Sequence, residues 1–153
     1  MAGLYGRAII GPTGALAASQ SYIVAVGTAP ANHRILVPSV LVAFRGTGAA
    51  DPPPLIEFGI VTGAAGTSVS PIKVFSTDDE TLQSTWLHTA TVTWGTTLFW
   101  DLLHIQTSRT FLFPKGTERE MPIPGGTSWA IRITMGSGVT ASPTVYVVPN
   151  FEE

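Results

Sequence analysis

Short runs of apolar and β-branched residues alternate along the chain with clusters of Gly, Pro, Ser and Asp. Residues 129–135 put Trp129, Ile131, Ile133 and Met135 on one face of an extended strand, with Ala130, Arg132 and Thr134 on the other. Residues 85–94 repeat the pattern, with Trp86, His88, Ala90, Val92 and Trp94 opposite Leu87, Thr89, Thr91 and Thr93. Further runs fall at residues 20–26, 35–44, 55–62, 72–75, 98–107, 110–113 and 144–148. Turn signals separate them at residues 46–48, 51–54, 63–66, 125–126 and 136–138. Strands at this spacing predict an all-β chain, a single-domain β-barrel or jelly-roll-like sandwich. Pro38, inside the run at 35–44, has no N–H to give a ladder, so the pattern predicts an edge, a bulge or a break there.

No window shows the 3.6-residue period of a long helix. Residues 77–84 are the best helical candidate. Thr77 and Glu80 have capping-box spacing, and Asp78 and Asp79 suit a helix N-terminus. One or two turns are expected. The opening segment, MAGLYGRAIIGPTGALAA, is broken by Gly6, Gly11, Pro12 and Gly14, which a signal peptide's apolar stretch does not tolerate. It predicts an extended N-terminal arm over residues 1–18, followed by a β-barrel domain over 19–153.

Composition sharpens this picture. The chain has 153 residues, 44% of them hydrophobic and only 12% charged, and a mean hydropathy of +0.31. About two-thirds of the unfolded surface of such a chain is buried on folding, so a core forms without staples. The low charge excludes a disordered solvating segment. Eight Lys and Arg against ten Asp and Glu give a net charge of -2, with no basic run to neutralise phosphates. Nucleic acid is therefore not an expected partner. No apolar stretch is long enough for a membrane-spanning helix, and a membrane is not expected as a partner either. A chain this apolar and this poorly charged is expected to hide surface in an oligomer or a larger assembly.

Candidate chemistry is thin. There is no cysteine, hence no disulfide, thiolate or Cys-based zinc site. His33, His88 and His104 lack the paired spacing of a metal site. Gly136-Ser137-Gly138 is a turn rather than a nucleophile elbow, and the glycines at 63–66 lack the Lys of a phosphate loop. Glu57, Asp101 and His104 make the best acid/base set, with Glu57 and Asp101 as the carboxylate pair a glycosidase would need. Glu118-Arg119-Glu120 reads as a solvated loop with local ion pairs. Trp86, Trp94 and Trp100 could form a stacking platform for a sugar, but core packing or a subunit interface is the simpler use for them. No catalysis, cofactor or metal is expected.

Two segments carry a family resemblance. LFWDLLHIQTSRTFLFPKGTEREMPIPGGTSWAIRIT at 98–134 and TVYVVPNFEE at 144–153 resemble, in order and texture, the C-terminal half of small tailed-phage virion proteins. Among these the chain most resembles the capsid decoration, or cement, proteins of long-tailed phages from hot environments. The resemblance implies a β-barrel or jelly-roll-like subunit and a homotrimer. It implies a place on the outer capsid surface, with the major capsid protein as partner and no catalysis or cofactor. It transfers no functional residue. The Gly/Ala-rich arm itself suggests a segment that orders on a neighbour, with Leu4, Tyr5, Arg7, Ile9 and Ile10 as candidate capsid- or neighbour-binding residues. Twelve prolines, no Cys and only two Asn fit a thermostable protein. The alternative reading is a receptor- or carbohydrate-binding head of a phage tail, which requires an exposed Trp or Tyr patch with acid or amide partners.

Overall fold

A computed structural model describes residues 4–48, 50–74, 80–113 and 121–153. Every regular element among them is a strand. These are β1 (Tyr5–Arg7), β2 (Ser21–Thr28), β3 (Ile35–Arg45), β4 (Leu55–Val69), β5 (Ile72–Lys73), β6 (Thr85–Leu102), β7 (Ser108–Leu112), β8 (Pro122–Ile123), β9 (Ser128–Thr134) and β10 (Thr144–Glu152). The chain is all-β and folds as a sandwich-like single domain. One layer is an open sheet in the order β5-β1-β10-β3-β7, with β8 added to β3. The other is a four-stranded ring, β2-β6-β4-β9, closed on itself.

Alternation builds the layers. In β10, Val145, Val147, Pro149 and Phe151 are buried while Tyr146, Val148, Asn150 and Glu152 face outward. The inward residues of the open sheet meet those of the ring in one main core. Its aromatic centre is Phe58, which touches Phe99, Phe111, Phe113 and Trp129 at centroid distances of 5.3–5.8 Å. Trp86 extends this cluster to Phe151 at 4.9 Å. The buried indole N–H groups have partners: Trp86 donates to Ser84 Oγ and Trp129 to Met121 Sδ. Pro38 stands at a bulge, where the β10–β3 register jumps from Asn150↔Ser39 to Glu152↔Leu36.

The ring is narrow, and glycine makes it possible. Its small second core holds Val26, Val61 and Ala130, with Ile23, Leu87, Ala90, Val92 and Trp94 packed around them. A Cβ on Gly59 would lie 2.6 Å from the Trp94 ring and 2.7 Å from the Thr96 carbonyl, so β4 and β6 approach only because Gly59 has none.

The structure corrects several expectations. The glycines at 63–66 do not end a strand. They lie inside β4, where Gly63 takes φ +63° and the β4–β6 register shifts between Thr62 and Ala65. Expected strands at 85–94 and 98–107 are one strand, β6, bent by further register shifts. Those shifts also break the alternation. Trp86 enters the main core while Trp94 joins Leu87 in the ring, so Trp86 and Trp94 do not share a face. Of the expected helix, residues 77–79 lie outside the described residues, and Glu80 to Ser84 are not helical.

The N-terminal segment runs antiparallel along β10 of its own chain. Leu4 exchanges backbone hydrogen bonds with Glu153, Ile10 does so with Val147, and Leu16 N–H donates to Pro143 O. Ala8 N–H donates to Pro149 O, but proline has no N–H to return, so the ladder is interrupted between β1 and Ile10. Ala8, Ile10 and Leu16 are members of the main core.

Candidate interaction surface

The longest strand projects the most unusual surface. Among the described residues, β6 is paired from residue 91 onward on one side only, by β4, because its ladder with β2 ends at Ala90. On this free-edged stretch Leu98, Trp100 and Leu102 are 46%, 62% and 49% exposed. Leu98 sits in the bulge between Thr97 and Phe99. Trp100 and Leu102 stand opposite Glu57 and Leu55 of β4. Phe99, between them in sequence, points the other way into the aromatic core.

Behind this strip lies a polar network at the mouth of the ring. A cross-strand row runs Ile23, Arg132, Glu57, Trp100 over β2, β9, β4 and β6. Arg132 Nε donates to Glu57 Oε2 at 2.8 Å, and the guanidinium lies 4.0 Å from the centroid of the Trp94 ring. Trp94 Nε1 donates to Thr97 Oγ1 at 3.0 Å, and Thr97 Oγ1 in turn donates to Glu57 Oε1 at 3.4 Å. Four side chains thus close a loop that orients each of them and leaves neither charge without a partner.

Asp101 lies on the opposite face of β6 and is bound by Arg109, whose guanidinium also covers the Phe111 ring. The carboxylate pair expected for glycosidase work is therefore split: Glu57 and Asp101 point to opposite faces of the β4–β6 ladder, each held by its own arginine. His104 Nδ1 accepts the Gln106 N–H and so caps the turn that follows β6. His33 bonds its neighbour Asn32. Among the described residues no three His, Asp or Glu side chains gather as metal ligands. Glu118-Arg119-Glu120 lie outside the described residues.

The five arm candidates divide by alternation. Leu4 and Ile10 are buried, whereas Tyr5, Arg7 and Ile9 face outward on the open sheet. Arg7 Nε donates to Asn150 Oδ1 at 2.7 Å, and Asn150 Nδ2 donates on to Ser39 Oγ at 2.9 Å. Beside this chain of bonds a groove of about 420 Å³ opens, lined by Tyr5, Gly6, Arg7, Pro38, Val74, Asn150 and Phe151.

One buried acid has a structural task. Asp51 accepts the Ala141 N–H and the Thr140 hydroxyl, tying the loop before β4 to the loop before β10. The Ala141 amide, then the Thr140 hydroxyl, hold its carboxyl below the ordinary carboxylate value of 3.8.

Sequence reading missed the Arg132–Glu57–Thr97–Trp94 loop and the exposure of Trp100. Both depend on cross-strand register over β9, β4 and β6, which periodicity along one strand does not encode.

These features define a jelly-roll-like β-sandwich with an apolar edge strip and a polar-plugged ring. No protein-family model matches the chain, and no curated protein sequence matches it. Among solved structures, a chain of maize chlorotic mottle virus aligns over 98% of this chain and 93% of its own length, at 11% identity and a TM-score of 0.29. A chain from the acid-stable capsid of Helicobacter pylori bacteriophage KHP30 aligns over the same shares at 11% identity and a TM-score of 0.23. A chain of infectious bursal disease virus, Gt strain, aligns over 97% of this chain but 38% of its own, at 17% identity and a TM-score of 0.14. Such scores lie below those of a shared fold, and nothing about the role of this chain follows from them.

Proposed function

We propose that this chain is a structural virion protein: a homotrimeric capsid decoration protein that docks on the major capsid protein at the outer surface and stabilises the shell. The observation that carries the reading is the exposed strip Leu98, Trp100 and Leu102 on the free edge of β6. An edge with aliphatic and aromatic side chains is a liability in a solitary protein and an asset in one that is covered by protein. The resemblance of residues 98–134 and 144–153 to small tailed-phage virion proteins supports the decoration role. In this reading Tyr5 and Ile9 offer outward contacts from the N-terminal segment, while Leu4 and Ile10 fix that segment to its own domain.

The test is cosedimentation with purified, undecorated phage capsids, followed by capsid melting. Saturable binding in multiples of three, with a raised melting temperature of the shell, is expected. Absence of cosedimentation at any concentration refutes the role.

The receptor- or carbohydrate-binding head remains the second reading because an indole is exposed. The flanking side chains decide between them. Trp100 is framed by Leu98 and Leu102, where a sugar platform needs free acids or amides, and the nearby Glu57 is engaged by Arg132. Specific signals on a glycan array would reverse this preference.

A further inference from the structure

The chain carries both halves of one contact. A three-membered ring cannot be built from one self-complementary patch; it needs two different surfaces that fit each other. One is the β6 strip, where Trp100 projects between two leucines. The other is the groove on the open sheet, formed by Tyr5, Arg7, Pro38, Val74 and Asn150. They belong to different layers of the sandwich, as a head-to-tail contact requires.

We propose that Trp100 of one copy seats in this groove of the next copy. This rests on the trimer reading and names the residues that would close it. The chemistry of the two parts is complementary. The groove's floor and walls are apolar at Pro38, Val74 and Phe151, and its charged lining residue is Arg7. The Asn150 bond holds Arg7 in place, so its guanidinium is set to stack on an entering indole ring. The strip brings no cation to oppose Arg7: the nearby Arg132 and Arg109 are each neutralised by a carboxylate. The strip alone exposes about 300 Å² of apolar side chain. A stable interface needs about 800 Å² per partner, so the β6 edge and the sheet surface around the groove must also be covered. In a ring each chain buries both parts.

The experiment is light scattering on a sizing column over a wide concentration range, with the full chain, Trp100→Glu and Val74→Glu. The wild type is expected to run as a trimer. Each variant is expected to raise the concentration for dissociation by about 30-fold or more, the scale of a lost interface hot spot. Trp100→Glu retains an intact groove and Val74→Glu retains an intact tryptophan. An equimolar mixture of the two is therefore expected to form a one-to-one dimer. Trp100→Ser, with a far-ultraviolet circular dichroism spectrum matching wild type, replaces Trp100→Glu if that variant misfolds. A trimeric Trp100 variant, or a trimeric Val74→Glu beside a monomeric Trp100 variant, overturns this inference and leaves the trimer reading standing. A wild-type chain that stays monomeric at every concentration overturns the trimer reading, and this inference with it.

Discussion

Removing Arg132 should cost more than a surface charge costs, and a double-mutant cycle with Glu57 should show why. The two side chains are 27% and 13% exposed, so the pair is largely, though not wholly, withdrawn from water. Arg132→Met removes the bond from Nε to Glu57 Oε2 and the contact with the Trp94 ring, and leaves the Glu57 carboxylate with the weak 3.4 Å bond from Thr97. A hydrogen bond to a charged group contributes about 1.5–3 kcal/mol, and a partly desolvated cation–π contact about 1 kcal/mol. Stranding one partner of a fully buried pair costs about 3–5 kcal/mol, which the residual exposure here reduces. The expected loss is about 3 kcal/mol, or roughly 8 °C in Tm for a chain of this length. Combining it with Glu57→Met removes the stranded charge as well. Glu57→Met alone should lose about 1 kcal/mol, because Arg132 keeps the Trp94 ring and the larger share of water, and the double variant about 2 kcal/mol, so the two single losses exceed the double loss by a coupling of about 2 kcal/mol. Urea unfolding at one fixed protein concentration measures all four corners, since an oligomer's apparent stability depends on concentration. An Arg132→Met loss below about 1 kcal/mol, or a coupling within about 0.5 kcal/mol of zero, would refute the account of a closed loop.

Gly59→Ala should destabilise the ring by about 2 kcal/mol, because the new Cβ meets the Thr96 carbonyl as well as the Trp94 indole and a backbone oxygen cannot swing aside; thermal melting tests it. Ile10→Ala should cost about 3 kcal/mol in urea unfolding, since Ile10 is 1% exposed in the main core, and deletion of residues 2–18 should abolish cooperative unfolding rather than leave a trimmed domain. Asp51 should make the fold acid-sensitive. Its carboxyl is held below 3.8, so its contribution is present above that value and is lost as pH falls through the lower folded pKa; Asp51→Asn should flatten the decline of Tm on acidification below 3.8.

What the sequence made legible was the local part of the fold. Trp129, Ile131 and Ile133 are all fully buried on one face of β9, as their alternation requires, and Pro38 falls at a bulge because proline leaves a strand little else. The class of fold follows from such segments. What stayed hidden depends on contacts between distant residues. The glycines at 63–66 have the composition of a turn, but β6 runs alongside them, and with that partner present the chain bends and continues as β4. Register shifts between them moved Trp86 and Trp94 to different cores, since the side-chain period of a strand is two and an extra residue in the strand inverts it. The N-terminal segment lacks strand-like alternation because Gly6 and Ala8 occupy its inward positions. Gly6 is needed there: a Cβ would stand 2.4 Å from the Phe151 ring. A segment fitted to an aromatic wall by small residues looks, in sequence, like one that fits nothing.

The exposed strip is more than an overhang of a long strand. β6 has 18 residues against 7 in β9, so at about 3.3 Å per residue it outruns the ring it helps to close, and its end must face solvent on some side. Overhang alone does not select for apolar side chains. Earlier on the same free edge, β6 meets that exposure with Thr91, Thr93, Thr96 and Thr97, residues that keep β propensity and satisfy water. The change to Leu98, Trp100 and Leu102 comes where Arg132 and Glu57 neutralise each other behind the strip and Asp101 is bound by Arg109 on its far side. Charges that would have kept another protein away are thereby paired within the chain. An apolar edge with its charges paired off favours a protein neighbour over water, and the assembly reading of this chain rests on that arrangement.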